Sequence, residues 1–340
     1  MSRSRTQDEN ILGKIIPLAR LNSMPGVRAS IDSLLASLDG ASDEFLVNEL
    51  RQIRESKTVE RARYYIRRIH KALTVERKSS INDLNLNRWK QYEDILTDSL
   101  WVLDKRDRSG GHKAWYWGNF VPQIPDQLIQ RYTKKGDCVL DPFVGSGTTL
   151  LECQRLGRNG FGIELQPSIA KKTRTILATQ KPRDPGLQSL IAVGDSSSQD
   201  FGELIRQSGR SSFQLAILHP PYHDIIRFSK RKNDLSNAAS TDEFISRFGQ
   251  VVDNVLSVLD KKRYFAVVIG DKYSAGEWIP LGFLTMQETL KRACRLRSIV
   301  VKNFDQTTAK RTQKELWRYR ALAGGFYVFK HEYILIFQKK

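Results

Sequence analysis

Along residues 1–110 apolar positions recur every three or four, the spacing of one buried helical face. Ile31, Leu34, Leu35 and Leu38 form one such set, and Phe45, Leu46, Leu50 and Ile53 a second. A third run, RARYYIRRIHKALTVERK from Arg61 to Lys78, places Tyr65, Ile66, Ile69 and Leu73 on one stripe. That leaves Arg63, Arg67, Arg68 and Lys71 largely on the other faces. No strand punctuation interrupts the stretch, so residues 1–110 are expected to form a helical, basic region. The polar, glycine-containing segment DKRDRSGGHK (104–113) reads as a linker. Beyond it, short β-rich runs alternate with helical ones: CVLD before Pro142, FGIE to Glu164, IAVGD to Asp195, LAIL before His219, YFAVVIGD to Asp271, SIVVKNF around Val300 and YILIF near the C-terminus. Such alternation predicts an α/β domain over residues 111–340, with a mainly parallel, doubly wound sheet covered on both faces. Within it, Phe244, Phe248, Val251, Val255 and Leu259 line one side of a further helix.

Composition narrows the class. With 340 residues, 40% of them hydrophobic, the chain can bury a large core. No apolar run approaches the roughly 18 residues of a membrane span. The opening MSRSRTQDEN lacks the apolar centre of a secretion signal. Neither membrane nor export is therefore expected, and the expected compartment is the cytoplasm. Cys138, Cys153 and Cys294 are odd in number and form no CxxC pair, so neither a disulfide framework nor a metal site is expected. Fifty-five Lys and Arg against 37 Asp and Glu leave a net charge of +18. That excess suits a polyanionic partner, because neutralised phosphates release condensed counterions. A generally basic protein would show the same sum, and a solvated helix face would account equally for the arginine run.

The strongest local signal is CVLDPFVGSGTT, from Cys138 to Thr149. An apolar strand ends in an acid, a Gly-Ser-Gly turn follows, and a helix begins. Ligands of open α/β sheets sit beyond the carboxyl ends of the strands, where this turn lies. Gly145 and Gly147 are expected to let the backbone approach a ligand that a Cβ would strike. A phosphate-binding loop would need a lysine after the glycines, and a dinucleotide fingerprint a third glycine; neither is present. A nucleoside without a pyrophosphate remains, with Asp141 facing a cationic amino-acid end. Glu164, ending the next strand, suits ribose hydroxyls, and Asp195, ending the one after, an adenine amino group. Each acid alone is equally a loop residue or cap; three at successive strand ends argue for a site.

DPFVGSGTT resembles the cofactor motif of the N4-cytosine and N6-adenine DNA methyltransferases, and RNGFGIELQPSIA the segment that follows it there. WGNFVPQIPDQLIQRYTKKGD is similar to the stretch that packs around the methionine part of S-adenosylmethionine in that family. The resemblance spans roughly residues 115 to 340. It implies a Rossmann-like methyltransferase fold and S-adenosylmethionine as cofactor. Asp141, Phe143, Gly145, Ser146, Gly147, Thr148, Glu164 and Asp195 would line the cofactor.

The second signal is LAILHPPYHDIIRFS, with His219, Pro220, Pro221 and Tyr222 at a strand end. An exocyclic amine is a poor nucleophile because its lone pair is delocalised into the ring. Acceptors holding its two hydrogens favour a pyramidal nitrogen aimed at the sulfonium methyl. The side chain at 219 and the Pro220 carbonyl are candidate acceptors, and Tyr222 offers a stacking face to an extruded base. Catalysis would be positioning for in-line displacement, with no covalent intermediate and no metal. The family motif usually starts with Asp, Asn or Ser; here His219 stands in that place. A neutral imidazole accepts a single hydrogen bond, and its identity does not choose between adenine N6 and cytosine N4. The cofactor motif also precedes the catalytic one, the reverse of the order in which DPFxGSGTT is most familiar. His219 lies only 24 positions after Asp195. Target recognition is therefore expected from the helical N-terminus, from the segment after Tyr222, or from both.

Near the C-terminus IVVKNF and YILIF predict a hairpin with a long basic insertion. There Lys302, Lys310, Arg311, Lys314, Arg318 and Arg320 mix with Trp317 and Tyr319 in one loop. The mixture suits phosphate contact plus base stacking. Double-stranded DNA is the expected partner, contacted by Arg63, Arg67, Arg68 and Lys71 and by Lys310, Arg311, Lys314 and Arg318. A restriction endonuclease of the same system is a candidate partner, whose existence the sequence does not decide. An RNA base methyltransferase and a non-catalytic module binding cofactor and DNA are the alternative readings.

Overall fold

The computed structural model describes the chain apart from residues 1–10, 39–43, 104, 110, 113, 114, 181, 183 and 304–313. Its contacts divide it into two compact units, Met1–Asp94 and Ile95–Lys340. In the first, the helical spacings become α1 (Met24–Ala36), α2 (Glu44–Arg54) and α3 (Val59–Thr74). The Ser23 and Thr58 side chains cap α1 and α3 by accepting the backbone N–H three residues on. Ile31, Leu34, Leu46, Leu50, Ile53, Tyr65, Ile66 and Ile69 close into one core, with Leu35, Leu38 and Leu73 packed at its edge. Regular helix stops at Thr74, short of the expected 110. An isolated bridge between Lys78 and Asn85 and a 3-10 turn at Leu86–Gln91 follow it.

The second unit is the α/β domain. Its strands are β1 (Leu100–Trp101), β2 (Cys138–Asp141), β3 (Asn159–Glu164), β4 (Ser189–Val193), β5 (Phe213–Leu218), β6 (Leu259–Ile269), β7 (Lys272–Ser274), β8 (Glu277–Ile279), β9 (Cys294–Asn303) and β10 (His331–Lys339). The helices are α4 (Gln123–Tyr132), α5 (Thr148–Leu156), α6 (Pro167–Thr179), α7 (Phe201–Arg206), α8 (Thr241–Val258), α9 (Leu281–Leu290) and α10 (Lys314–Gly324). Among the described residues eight strands form one sheet in the order β1-β9-β10-β6-β5-β2-β3-β4, and β7 pairs with β8. Pairing is parallel except where β10 runs antiparallel between β9 and β6. This is the doubly wound, mainly parallel Rossmann-like sheet expected, and all seven β-rich runs became strands of it. The expected linker at 104–113 contributes structure instead: Arg106 donates to the carbonyls of Asn119 and Phe120.

The sheet is covered on both faces because its strands alternate. On β3, Phe161 and Ile163 enter a large core with Phe244, Phe248, Val251 and Val255 of α8. Gly160 on the opposite face meets Leu150 of α5, where an added Cβ would lie 3.1 Å from Cγ. Leu259, expected on α8, is instead the first residue of β6. The chain steps outward from β2 through β3 to β4, then returns to β5 on the other side of β2. That reversal is a topological switch point, where the loops on either side part and leave a crevice.

Candidate active site

A cavity of about 1480 Å³ opens at the carboxyl edge of the sheet. It is walled by the turns that follow β2, β3, β4, β5 and β6 and by the end of β9 and the start of β10. Phe143, Gly145, Ser146, Thr148, Glu164 and Asp195 line it, and so do His219, Pro220, Pro221 and Tyr222. The two expected motifs thus share one chamber. Asp141 and Gly147 do not line it; they stand directly behind the wall made by the residues next to them in sequence.

The turn after β2 is held by its own acids. Asp141 Oδ1 accepts the Phe143 N–H at 2.9 Å, while Oδ2 is buried without a hydrogen-bond partner. Burial raises the Asp141 carboxyl to about 6, and the neighbouring Glu164 charge pushes the same way. Glu164 accepts the N–H groups of Gly145 and Gln166 at 2.9 Å each, and burial raises its carboxyl too. Asp195 accepts both the N–H and the hydroxyl of Ser197. The glycines are required by protein neighbours. Gly145 has φ +48, and a Cβ there would lie 2.9 Å from the Tyr116 ring. Gly147 has φ +80, and its Cβ would strike Thr173 Cγ2. Tyr116 in turn stacks on Phe228, centroids 5.6 Å apart. The Asn119 amide, turned so that Oδ1 faces Arg106 Nη2 and Ser146 Oγ at 3.1 Å, ties the WYWGNF segment to the turn.

Across the chamber His219 packs edge-on against Phe120, centroids 4.6 Å apart, and against Tyr222 at 5.7 Å. Burial drives the imidazole down to about 4, so His219 is neutral at physiological pH. Tyr222 Oη donates to Glu332 Oε2 at 2.7 Å. The ring needs the bare backbone of Gly270, whose added Cβ would lie 2.9 Å from Tyr222 Cε2. Tyr116, Asn119, Phe228 and Glu332 are cavity residues to which no individual role had been given. Asn119 lay within the family-like WGNF stretch. Glu332 carried a signal of its own, an acid at the start of an apolar strand.

The expected cationic contacts divide. Arg63 donates to the carbonyls of Ala19 and Leu21 and to Asn22 Oδ1, and Arg68 grips Glu49 Oε2 through Nε and Nη2. Both are committed within the first unit, whereas Arg67 and Lys71 are exposed. Arg318 is exposed on α10, a helix where a loop was expected. Lys302 is no loop cation: it is a buried residue of β9. Lys310, Arg311 and the side chain of Lys314 lie outside the described residues. Trp317 lines the cavity, with the Arg320 guanidinium over its ring at 5.3 Å.

Residues 41–175 match the sequence profile of the DNA methylase family of N6/N4 methyltransferases. The Type II methyltransferase M2.DpnII of Streptococcus pneumoniae is 38% identical over 100 residues, 28% of this chain and 34% of its own length. M2.LlaDCHI of Lactococcus lactis is 38% identical over 94 residues, 25% of this chain and 31% of its own. Over residues 41–175 the chain is thus similar to the N4-cytosine/N6-adenine DNA methyltransferases. M.MjaII of Methanocaldococcus jannaschii is 44% identical over 52 residues, 15% of this chain and 10% of its own. The chain thus spans between a tenth and about a third of the length of these relatives. The family match includes the turn after β2 and stops before His219, so the HPPY turn is joined to it by the fold alone.

The family's cofactor, S-adenosylmethionine, fits the chamber by charge. Glu164, Asp195 and Asp234 line the side nearest the β2 turn, and Asp141 is buried behind it with one oxygen unpartnered. Carboxylates so placed repel a pyrophosphate and suit a nucleoside that carries a cationic amino-acid end.

Proposed function

We propose that the chain is a site-specific DNA methyltransferase that uses S-adenosylmethionine to methylate the exocyclic amine of adenine (N6) or cytosine (N4), in DNA modification or restriction–modification. The observation that carries this reading is the shared cavity, which both the turn after β2 and the HPPY turn line. S-adenosylmethionine, when bound, supplies an electrophilic methyl group on a sulfonium. Glu164 and Asp195 are assigned to the ribose hydroxyls and the adenine amino group. Phe143, Gly145, Ser146 and Thr148 shape the floor. Asp141, through the Phe143 N–H and its charge, holds that floor and favours a cationic amino-acid end.

His219 and the Pro220 carbonyl accept the two hydrogens of the target amine and aim its nitrogen in line with the methyl. Pro220 and Pro221 bring no N–H to compete for those hydrogens. Tyr222 offers its face to the extruded base. An imidazole held at about 4 does not retain a proton at neutral pH, so the one shed by the methylated amine passes on to water. His219 therefore orients the amine and is not a resting general base. The exposed Arg67, Lys71 and Arg318 are the described cations assigned to the DNA backbone. We assign Lys310, Arg311 and Lys314 to the same role on sequence grounds alone. Because Arg63 and Arg68 are engaged within the first unit, their role is to hold the helix that carries Arg67 and Lys71. A restriction endonuclease of matching specificity is the proposed companion.

The test is transfer of a labelled methyl group from S-adenosylmethionine to mixed-sequence duplex DNA, with tRNA and rRNA as parallel substrates. Label in duplex DNA, lost in His219→Ala while S-adenosylmethionine binding persists, is the expected result. Label in RNA alone, or binding of cofactor and DNA with no turnover on any duplex, overturns the assignment.

A further inference from the structure

Beneath Tyr222 lies a buried ion pair to which the reaction as derived gives no role. β9 and β10 run antiparallel in a register that sets Lys302 opposite Glu332. Both side chains are buried, at 5% and 3% exposure. Lys302 Nζ lies 3.1 Å from Glu332 Oε1. The other carboxylate oxygen, Oε2, accepts the Tyr222 hydroxyl at 2.7 Å, and that hydroxyl lies 3.4 Å from His219 Nε2.

A phenol has one proton to give. An ionised carboxylate accepts only, and hydrogen bonds to it are roughly twice as strong as neutral ones. The Tyr222 proton therefore points at Glu332, and the hydroxyl can offer His219 only a lone pair. Nε2 must carry the imidazole proton to meet it, which leaves Nδ1 as the acceptor of the ring. Burial has already excluded the doubly protonated form at neutral pH.

We propose that the Lys302–Glu332 pair, acting through Tyr222, holds His219 in the Nε2–H tautomer, so that Nδ1 presents its lone pair to the amino hydrogen of the target base. Glu332 and Lys302 are positioning residues, since neither touches the reacting atoms. The relay answers the difficulty raised by a histidine in this motif. An Asp or Asn oxygen accepts in any proton arrangement, whereas an imidazole accepts at one nitrogen only, and which one must be set from outside the ring. A buried acid that sets a histidine tautomer in a hydrolytic triad is worth about 10⁴ in kcat. With a tyrosine interposed the expected loss is smaller, about 10- to 100-fold.

The identity of the target base rests on the function proposed above; the tautomer does not. The test is a two-bond ¹H–¹⁵N correlation spectrum of the full chain labelled with ¹⁵N-histidine at pH 7.5. The His219 signals are those lost in His219→Asn. The expected spectrum has Nε2 protonated and Nδ1 bare. In Tyr222→Phe, which keeps the ring and the ion pair, the two tautomers should mix. Glu332→Gln should lose about 10- to 100-fold in kcat with an unchanged KM for S-adenosylmethionine, and Glu332→Asp should recover part of it. Because Glu332→Gln removes a negative charge facing a buried lysine and so endangers folding, the unsubstituted chain and Tyr222→Phe decide the matter. Nδ1 protonated in the unsubstituted chain, or a Tyr222→Phe spectrum identical to it, overturns the relay. An Nε2–H signal in a protein that methylates no nucleic acid would sink the proposed function and leave the relay standing.

Discussion

His219 should make the folded sheet domain sensitive to mild acid, and replacing it should remove that sensitivity. In the fold its imidazole titrates at about 4, against 6.5 for an unperturbed histidine, because burial disfavours the charged ring. The folded pKa is depressed, so as pH falls the unfolded chain takes up this proton first. The His219 contribution is intact above about 6.5 and is lost as pH drops toward 4. At about 1.4 kcal/mol per pH unit the full loss approaches about 3 kcal/mol, of which about 2 kcal/mol falls between pH 7 and pH 4.5. The assay is urea denaturation of the unsubstituted chain and of His219→Asn at half-unit pH intervals. Each is followed by a probe in the sheet domain, because two units preclude a single global transition. The stability difference between the two proteins should shift by about 2 kcal/mol across that interval, toward the variant as pH falls. Parallel curves from pH 7 to 4.5 would mean that the imidazole is hydrated in the fold, and the argument for a neutral acceptor at position 219 would go with it.

Asp141 should behave in the opposite sense. Its carboxyl is raised to about 6, so its contribution is present below about 3.8 and is lost as pH rises through about 6. Relative to Asp141→Asn the unsubstituted chain should gain stability on going from pH 7 to 4.5, and a gain that is absent or reversed in denaturation curves refutes the burial argument. Gly145→Ala forces a Cβ onto a left-handed residue 2.9 Å from the Tyr116 ring. It should cost about 1–3 kcal/mol and weaken S-adenosylmethionine binding measured by calorimetry, and wild-type affinity would show that Tyr116 yields freely. Arg63→Ala removes donors to Ala19, Leu21 and Asn22 and should lower the thermal stability of the first unit. Arg67→Ala should leave that stability unchanged and reduce the salt dependence of DNA binding by about one counterion; equal melting losses in the two variants would overturn the division.

Periodicity carried most of the fold. Seven β-rich runs became strands, and the stripes of the first unit became its core, because alternation and the 3.6-residue repeat are local consequences of burying one face. Boundaries were less accessible. The apolar texture around Trp101 reads as a continuation of the helices, yet Leu100–Trp101 pairs with Val301–Lys302, a partner about 200 residues away. Motifs marked both sides of the cavity, since strand-end acids, glycines and prolines have chemistry visible at short range. Lys302 exposes the limit. Among basic and aromatic neighbours it reads as a surface cation, but register sets it opposite Glu332 inside the sheet. Arg63 and Arg68 likewise read as uncommitted cations, yet each is hydrogen-bonded within the first unit, because what a helical side chain meets depends on what packs against its face. The glycines of the β2 turn were assigned to ligand approach, and the bodies they accommodate, Tyr116 and Thr173, come from remote parts of the chain.

The inverted strand, third from one edge of the sheet, has one further consequence. Parallel strands present only their last residues at the rim, so each excursion from the rim must cross the whole layer before the chain returns. β10 enters at the rim: His331 pairs with Asn303, the final residue of β9, and both border the cavity. The chain between them departs and re-enters at one spot, anchored at both ends by the same ladder. Its length can change without altering any other pairing in the sheet, so the excursion that lends Trp317 and Phe329 to the cavity wall varies independently of the strands behind it.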